Sequence, residues 1–137
     1  MFLVDTNVFL EVLLSRPKKD ECEKLLNHLK EGKKSGVITD FSIHSILVIM
    51  EGLGKRRELK IFLRSLLAYT GLSVYTTTLM DELNAVEISY EANLDLDDAL
   101  QYGAALTLKV DGIISFDKHF DQLKIPRLEP SVIEPQK

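Results

Sequence analysis

Residues 1–14 read MFLVDTNVFLEVLL. Met1, Phe2, Leu3 and Val4 form an unbroken apolar run that meets Asp5, Thr6 and Asn7, and a helical apolar pattern begins at Val8. A short apolar run without alternation marks a strand buried on both faces, as in a parallel sheet covered by helices. Such a strand carries its last residue to the carboxyl edge of the sheet, where ligands of open α/β sheets bind. Asp5 therefore has two readings: a helix cap that accepts a backbone N–H, or a carboxylate at the mouth of a site. Thr6 or Asn7 could cap the helix without it.

A second stretch ends in the same way. Residues 111–120 read DGIISFDKHF; Ile113, Ile114 and Phe116 make a short buried strand, and the chain turns polar at Asp117, Lys118 and His119. Just upstream, residues 93–108 read NLDLDDALQYGAALTL, where Ala99, Leu100, Gly103, Ala104, Leu106 and Leu108 recur mostly at helical spacing. This predicts a helix with a small-residue face able to approach a sheet closely, with Asp97 and Asp98 in its first turn. Asp5, Asp98 and Asp117 thus fall at ends of elements that could meet at one sheet edge. Singly, Asp97 and Asp98 also read as dipole and capping residues, and Asp117 as a solvated strand-to-loop residue.

Carboxylates gathered without matching cations repel one another, and a divalent metal stabilises their ionised form. An oxygen-only cluster favours a hard ion, Mg2+ or Mn2+, which keeps several waters and leaves room for a phosphate. The chemistry that follows is metal-assisted phosphodiester hydrolysis, in which the ion lowers the pKa of a water and neutralises charge developing on the scissile phosphate.

The motifs VDTNVF (residues 4–9), LDLDDALQYGAAL (94–106) and ISFDKHF (114–120), in this order and spacing, resemble those of a PIN domain. The chain is similar in particular to the small single-domain proteins of the VapC toxin type, over nearly its whole length. The resemblance implies a three-layer α/β/α sandwich around a short parallel sheet, a Mg2+- or Mn2+-dependent endoribonuclease, a cognate antitoxin and a homodimer. Carried onto this chain, it makes Asp5, Asp98 and Asp117 the catalytic carboxylates and metal ligands, with Asp97 as a helper. Asn7 and Ser115 match polar positions that hydrogen-bond around the metal. One departure stands out: the family's Glu in the first turns of the helix after the second strand is missing from GVITDFSIHSILVIME (residues 36–51), which has no Glu before Glu51. His44 and Ser45 stand nearest that place. His44 reads either as a nitrogen ligand that shifts preference from Mg2+ toward Mn2+ or a later transition metal, or as a helix histidine without a metal role. Asp40 could supply the missing oxygen, while Glu51 lies about 10 Å along the helix axis from His44. An alternative is a catalytically silent RNA-binding or protein-binding module on the same fold.

Bulk properties agree with one soluble globular domain spanning residues 1–137: 45% of the residues are hydrophobic and 28% charged. No apolar run is long enough to cross a bilayer, and the N-terminus lacks a signal-peptide pattern, so no membrane association is expected. Cys22 is a single cysteine, which suits a reducing cytoplasm. A net charge of −4 excludes a general nucleic-acid coat protein but not an RNA enzyme, because the basic residues are clustered. Their densest run, Lys55, Arg56, Arg57, Lys60 and Arg64, reads as a solvated helix face or as an RNA-binding rim whose phosphate contacts position without specifying.

The remaining segments fill in the alternation of helix and strand. A helix from Asp20 to Lys30, a strand near Val37, a helix from Phe41 to Leu53 and a basic helix reaching about Tyr69 are expected, the last two forming an arm that stands off the sheet and serves dimer contact and RNA grip. A third strand near Ser73 to Tyr75 follows, then a helix capped within Thr76–Thr78. The segment from Ile125 is expected to hold one short edge strand near Arg127 and then a loose tail. Phosphate loops of the GxxxxGK[ST] and GxGxxG kinds are absent. A phosphoacceptor receiver would want an Asp at the end of the third strand, where this chain has Tyr75.

Overall fold

The apolar run at the N-terminus forms β1 (Phe2–Val4), and Asp5 turns the chain into α1 (Thr6–Leu13). In the computed structural model, residues 1–133 are described. There follow α2 (Lys19–Lys30), β2 (Gly36–Thr39), α3 (Asp40–Gly52), α4 (Arg56–Leu66), β3 (Leu72–Tyr75), α5 (Leu79–Ala92), α6 (Leu96–Leu108), β4 (Gly112–Ile114) and β5 (Arg127–Leu128). All strand pairs are parallel and the spatial order is β3-β2-β1-β4-β5. β1 is therefore central, and the strand order reverses beside it, between β1 and β4.

The register explains the layers. Leu3 is level with Val37 on β2 and Ile113 on β4, and Val4 is level with Ile114. Because side chains alternate along a strand, Leu3, Val37 and Ile113 face one side, where Ala85, Ala99, Tyr102, Ala104, Ala105 and Phe120 cover them from α5, α6 and the loop after β4. Val4, Ile38 and Ile114 face the other, among Val8, Phe9, Leu25, Leu29, Ile46 and Met50 of α1, α2 and α3. The result is the three-layer α/β/α sandwich expected from the sequence; the central strands β1, β2 and β4 lack polar alternation because neither face meets water, whereas Ser73 and Val74 of edge strand β3 are exposed.

Element limits differ from the sequence reading by a few residues, except in two places. The basic helix does not stand off: Leu59 and Phe62 of α4 are buried, and the Phe62 ring meets Phe9 of α1 edge-on at a centroid distance of 5.8 Å and an interplanar angle of 62°. Its amphipathic spacing supplies an apolar stripe that packs on α3 and meets α1 through Phe9. The segment after β5 is not loose as far as it is described. Pro130, in a 3-10 turn at Pro130–Val132, is buried, Ile133 packs on the α1–α2 core, and Glu129 Oε1 lies 3.6 Å from Lys18 Nζ. Residues 134–137, the rest of the expected tail, lie outside the described residues.

Candidate metal centre

β1 and β4 end side by side, with the Asp5 N–H donating to the Ile114 carbonyl at 3.0 Å, so both strands deliver their next residues to one crevice. That crevice is the switch point where open α/β sheets bind ligands. Asp5 serves in both of its readings. Its Oδ1 accepts the Thr6 N–H at 2.8 Å as the α1 cap, and its Oδ2 accepts the Ser115 hydroxyl at 2.7 Å. The Asp117 N–H donates to the same Ser115 Oγ at 2.9 Å, which ties the loop after β4 to Asp5. Arg127 Nη1 holds the Ser115 carbonyl at 2.9 Å from β5.

Asp98 reaches the crevice from the first turn of α6. One donor atom each from Asp98, Asp117 and His119 lie within 4.8 Å of one another. His119 Nδ1 is 3.1 Å from Asp117 Oδ1 and 3.3 Å from Asp98 Oδ2, on a ring whose side chain is 66% exposed. The His119 backbone N–H donates to Asp117 Oδ1 at 2.9 Å, so Asp117 caps the 3-10 turn Lys118–Phe120 that presents the ring. Among the described residues no lysine or arginine pairs with Asp5, Asp98 or Asp117.

The electrostatics follow from that arrangement. Burial lifts the Asp5 carboxyl above its ordinary value; hydrogen bonds from Ser115, Thr6 and Gln101 oppose the lift and the charge of Asp117 adds to it. Asp98 is pushed up to about 6, by burial first and then by Asp117. The hydrogen bond to Asp98 and the charge of Asp117 hold the His119 imidazole above its usual range. Carboxylates raised by burial and mutual repulsion are the groups a divalent cation stabilises, and two carboxylates with an imidazole at this separation fit such an ion.

Beneath Asp5 lies a neutral network that the sequence reading missed. Gln101, 2% exposed, donates from Nε2 to Ser42 Oγ at 2.7 Å and to Asp5 Oδ1 at 3.4 Å, and its Oε1 accepts the Thr39 hydroxyl at 2.8 Å. Ser42 Oγ and Thr6 Oγ1 are 2.8 Å apart. Gln101 stands three residues after Asp98 on α6, hence on the same face; a lone amide within the small apolar pattern ALQYGAA was the available signal. His119 was signalled by its place two residues after Asp117.

Several expected site residues lie elsewhere. His44 is exposed on α3 and outside the metal-ligating group, and Ser42 is the α3 residue that hydrogen-bonds beneath Asp5. Asp40 Oδ1 accepts the Thr77 N–H and hydroxyl at 3.1 and 2.9 Å, fixing the approach to α5. Glu51 pairs with Arg56 at 3.3 Å on the surface. Asn7 and Asp97 are exposed, and it is Thr6, not Asn7, that joins the network. Ser45 is half-buried. Arg56, Arg57, Lys60 and Arg64 are exposed along α4, with Lys55 half-buried at its start.

A parallel sandwich with an acidic, cation-fitting crevice at its switch point defines the class. Residues 2–126 match the PIN domain, and the chain belongs to that family. PIN domains are generally nucleases. The solved structures it is similar to include the Mycobacterium tuberculosis toxin VapC20, described as cleaving the sarcin–ricin loop, at 13% identity and a TM-score of 0.77, covering 95% of this chain and 100% of that one. A toxin–antitoxin complex from Klebsiella pneumoniae has 17% identity and a TM-score of 0.69, covering 95% and 98%. VapBC2 from Rickettsia felis, bound to a DNA fragment from its promoter, has 13% identity and a TM-score of 0.69, covering 93% and 97%. Among curated proteins none matches the chain. No helix among the described residues is long and apolar enough to cross a membrane.

Proposed function

We propose that this protein is a metal-dependent endoribonuclease, the toxin of a toxin–antitoxin pair, acting as a single cytoplasmic domain. The observation that carries the reading is the meeting of Asp98, Asp117 and His119 donor atoms within 4.8 Å, beside a buried Asp5 and, among the described residues, without a lysine or arginine partner. Mg2+ or Mn2+, when bound, supplies Lewis-acid polarisation of the scissile phosphate and a lowered pKa for the attacking water. Asp98 and Asp117 hold the ion from two different elements. Asp5 keeps lone pairs free after accepting from Thr6 and Ser115 and adds a third carboxylate whose orientation those donors set. No side chain forms a covalent intermediate. Asp97 and Asn7, both exposed, stand outside this machinery.

Arg56, Arg57, Lys60 and Arg64, with Lys55, supply an exposed basic stripe for RNA phosphates; Arg56 is the one among them already paired, with Glu51. The toxin–antitoxin complex among the structural neighbours supports an antitoxin partner. On α5, Leu79, Leu83, Val86 and Tyr90 are exposed at helical spacing, which supports a homodimer through that helix. A second reading, a silent RNA-binding or protein-binding module, is favoured by one observation: the α3 residue beneath Asp5 is Ser42, not a carboxylate.

The test is cleavage of an end-labelled mixed RNA pool with Mn2+, Mg2+ or chelator, beside Asp98→Asn and Asp117→Asn. Metal-dependent cuts that both variants abolish are expected. RNA binding without cutting under either metal would replace the enzyme with the module.

A further inference from the structure

We infer that His119 is a nitrogen ligand to the cation held by Asp98 and Asp117, making this a mixed nitrogen–oxygen centre that selects Mn2+ and later transition ions over Mg2+. The inference rests on the metal-dependent reading above and narrows it. Donors about 2.1–2.3 Å from an octahedral ion stand about 3.0–3.3 Å apart at adjacent positions. His119 Nδ1 lies 3.1 Å from Asp117 Oδ1 and 3.3 Å from Asp98 Oδ2, within N–H···O reach while no ion is bound; a cation displacing the Nδ1 proton would find the three atoms at the separation of ligands that share one ion.

The ring is held there by the backbone. Asp117 caps the turn through the His119 N–H, and Phe120, the next residue, is fully buried and anchors the turn against α6. Those contacts are made by main chain and by Phe120, so the exposed imidazole has no structural task beyond its two carboxylate partners. α3 offers no charged ligand there, because Ser42 is neutral and turned into the Gln101 network. Imidazole nitrogen suits the later transition ions such as Zn2+ and Ni2+, and Mn2+ accepts it more readily than Mg2+, which keeps to oxygen. The nitrogen donor that the sequence suggested on α3 at His44 is thus supplied from the opposite side of the crevice.

The test uses the full chain loaded with Mn2+ and read by pulsed electron paramagnetic resonance for nitrogen coupling, with Mn2+ and Mg2+ affinities from calorimetry. Wild type, His119→Ala, His119→Gln, His44→Ala and Asp98→Asn are compared, each first shown to be folded by its metal-free melting curve. Expected are a nitrogen signal in wild type and His44→Ala that is absent in both His119 variants, with Mn2+ affinity falling about tenfold or more and Mg2+ affinity changing less than about threefold. Mn2+ that Asp98→Asn releases, but that shows no nitrogen coupling in wild type, would overturn the inference and leave the nuclease reading intact. A nitrogen signal lost in His44→Ala but kept in the His119 variants would also overturn it. Failure of wild type to bind either ion would overturn both.

Discussion

Gln101→Leu isolates the network under Asp5 without changing the surface. Gln101 is 2% exposed, and leucine has a similar volume, so no large cavity forms. The Thr39 hydroxyl, itself fully buried, loses its acceptor at 2.8 Å, and an unsatisfied buried donor costs about 1–3 kcal/mol. Ser42 Oγ loses the Nε2 donor at 2.7 Å but keeps Thr6 Oγ1, a loss of about 1 kcal/mol. The 3.4 Å contact to Asp5 is at the limit of a hydrogen bond, and Asp5 keeps Thr6 and Ser115, so it adds little. The sum, about 2–4 kcal/mol, less about 1 kcal/mol for the more apolar side chain, leaves a destabilisation of about 1–3 kcal/mol. Urea unfolding followed by circular dichroism should show a lower midpoint with an unchanged slope. In a chain of this size the melting temperature should fall by about 3–10 °C. A loss below about 0.5 kcal/mol would refute the reasoning, because it would mean that Thr39 and Ser42 find other partners and that the network does not hold Asp5 in place.

Four further outcomes are expected. Gly71→Ala should unfold the protein or cost more than about 4 kcal/mol in a thermal melt, since its Cβ would overlap the Lys34 carbonyl oxygen; a melt within a few degrees of wild type would contradict the close approach. Cys22 is fully buried and its thiol is pushed up to about 12 by burial, so a thiol reagent at pH 8 should label it only after urea is added; rapid native labelling would contradict the packing. Replacing Arg57, Lys60 and Arg64 together by alanine should weaken single-stranded RNA binding and reduce its log–log salt slope by about 2, whereas an unchanged slope would remove α4 from the interface. Leu83→Glu on the exposed face of α5 should convert a dimer to a monomer by light scattering; an unaltered mass would move the contact elsewhere.

The fold was legible because its central strands, β1, β2 and β4, are buried on both faces. Residues 1–4 and 112–114 carry no alternation, and each run ends at a polar residue, so strand, edge and carboxylate were read together from one pattern. The small residues Ala99, Gly103 and Ala104 marked α6 as a closely packed helix, although its close approach is to α5, where Gly103 meets Ile88, and not to the sheet. What the pattern could not give was phase at short range. Helical spacing allowed the basic segment to be an arm, and its packing on α3 together with the Phe9–Phe62 contact to α1 shows that it is not one. Likewise His44 and Ser42 are two residues apart on one helix, about 200° around its axis, so a shift of that size in the assumed phase exchanges the site-facing residue for an exposed one.

The phase of α3 is set by its cap. Thr39 ends β2 with its side chain accepting the Ser42 N–H at 3.1 Å, which fixes the first turn, and the buried positions then recur as Ser42, Ile46 and Met50. Any carboxylate aimed beneath Asp5 from this helix must stand on that face, and the chain has there a hydroxyl, a branched aliphatic and a thioether. The negative charge of the crevice is therefore carried by Asp5, Asp98 and Asp117, and it is opposed from within by the Gln101 amide and at the rim by His119. A crevice with three carboxylates and one imidazole has as many donors as one with four carboxylates but holds a divalent ion less tightly by charge. On the proposed reading a substrate phosphate would complete the sphere, so metal and RNA should bind with mutual reinforcement, each raising the affinity of the other by the same factor.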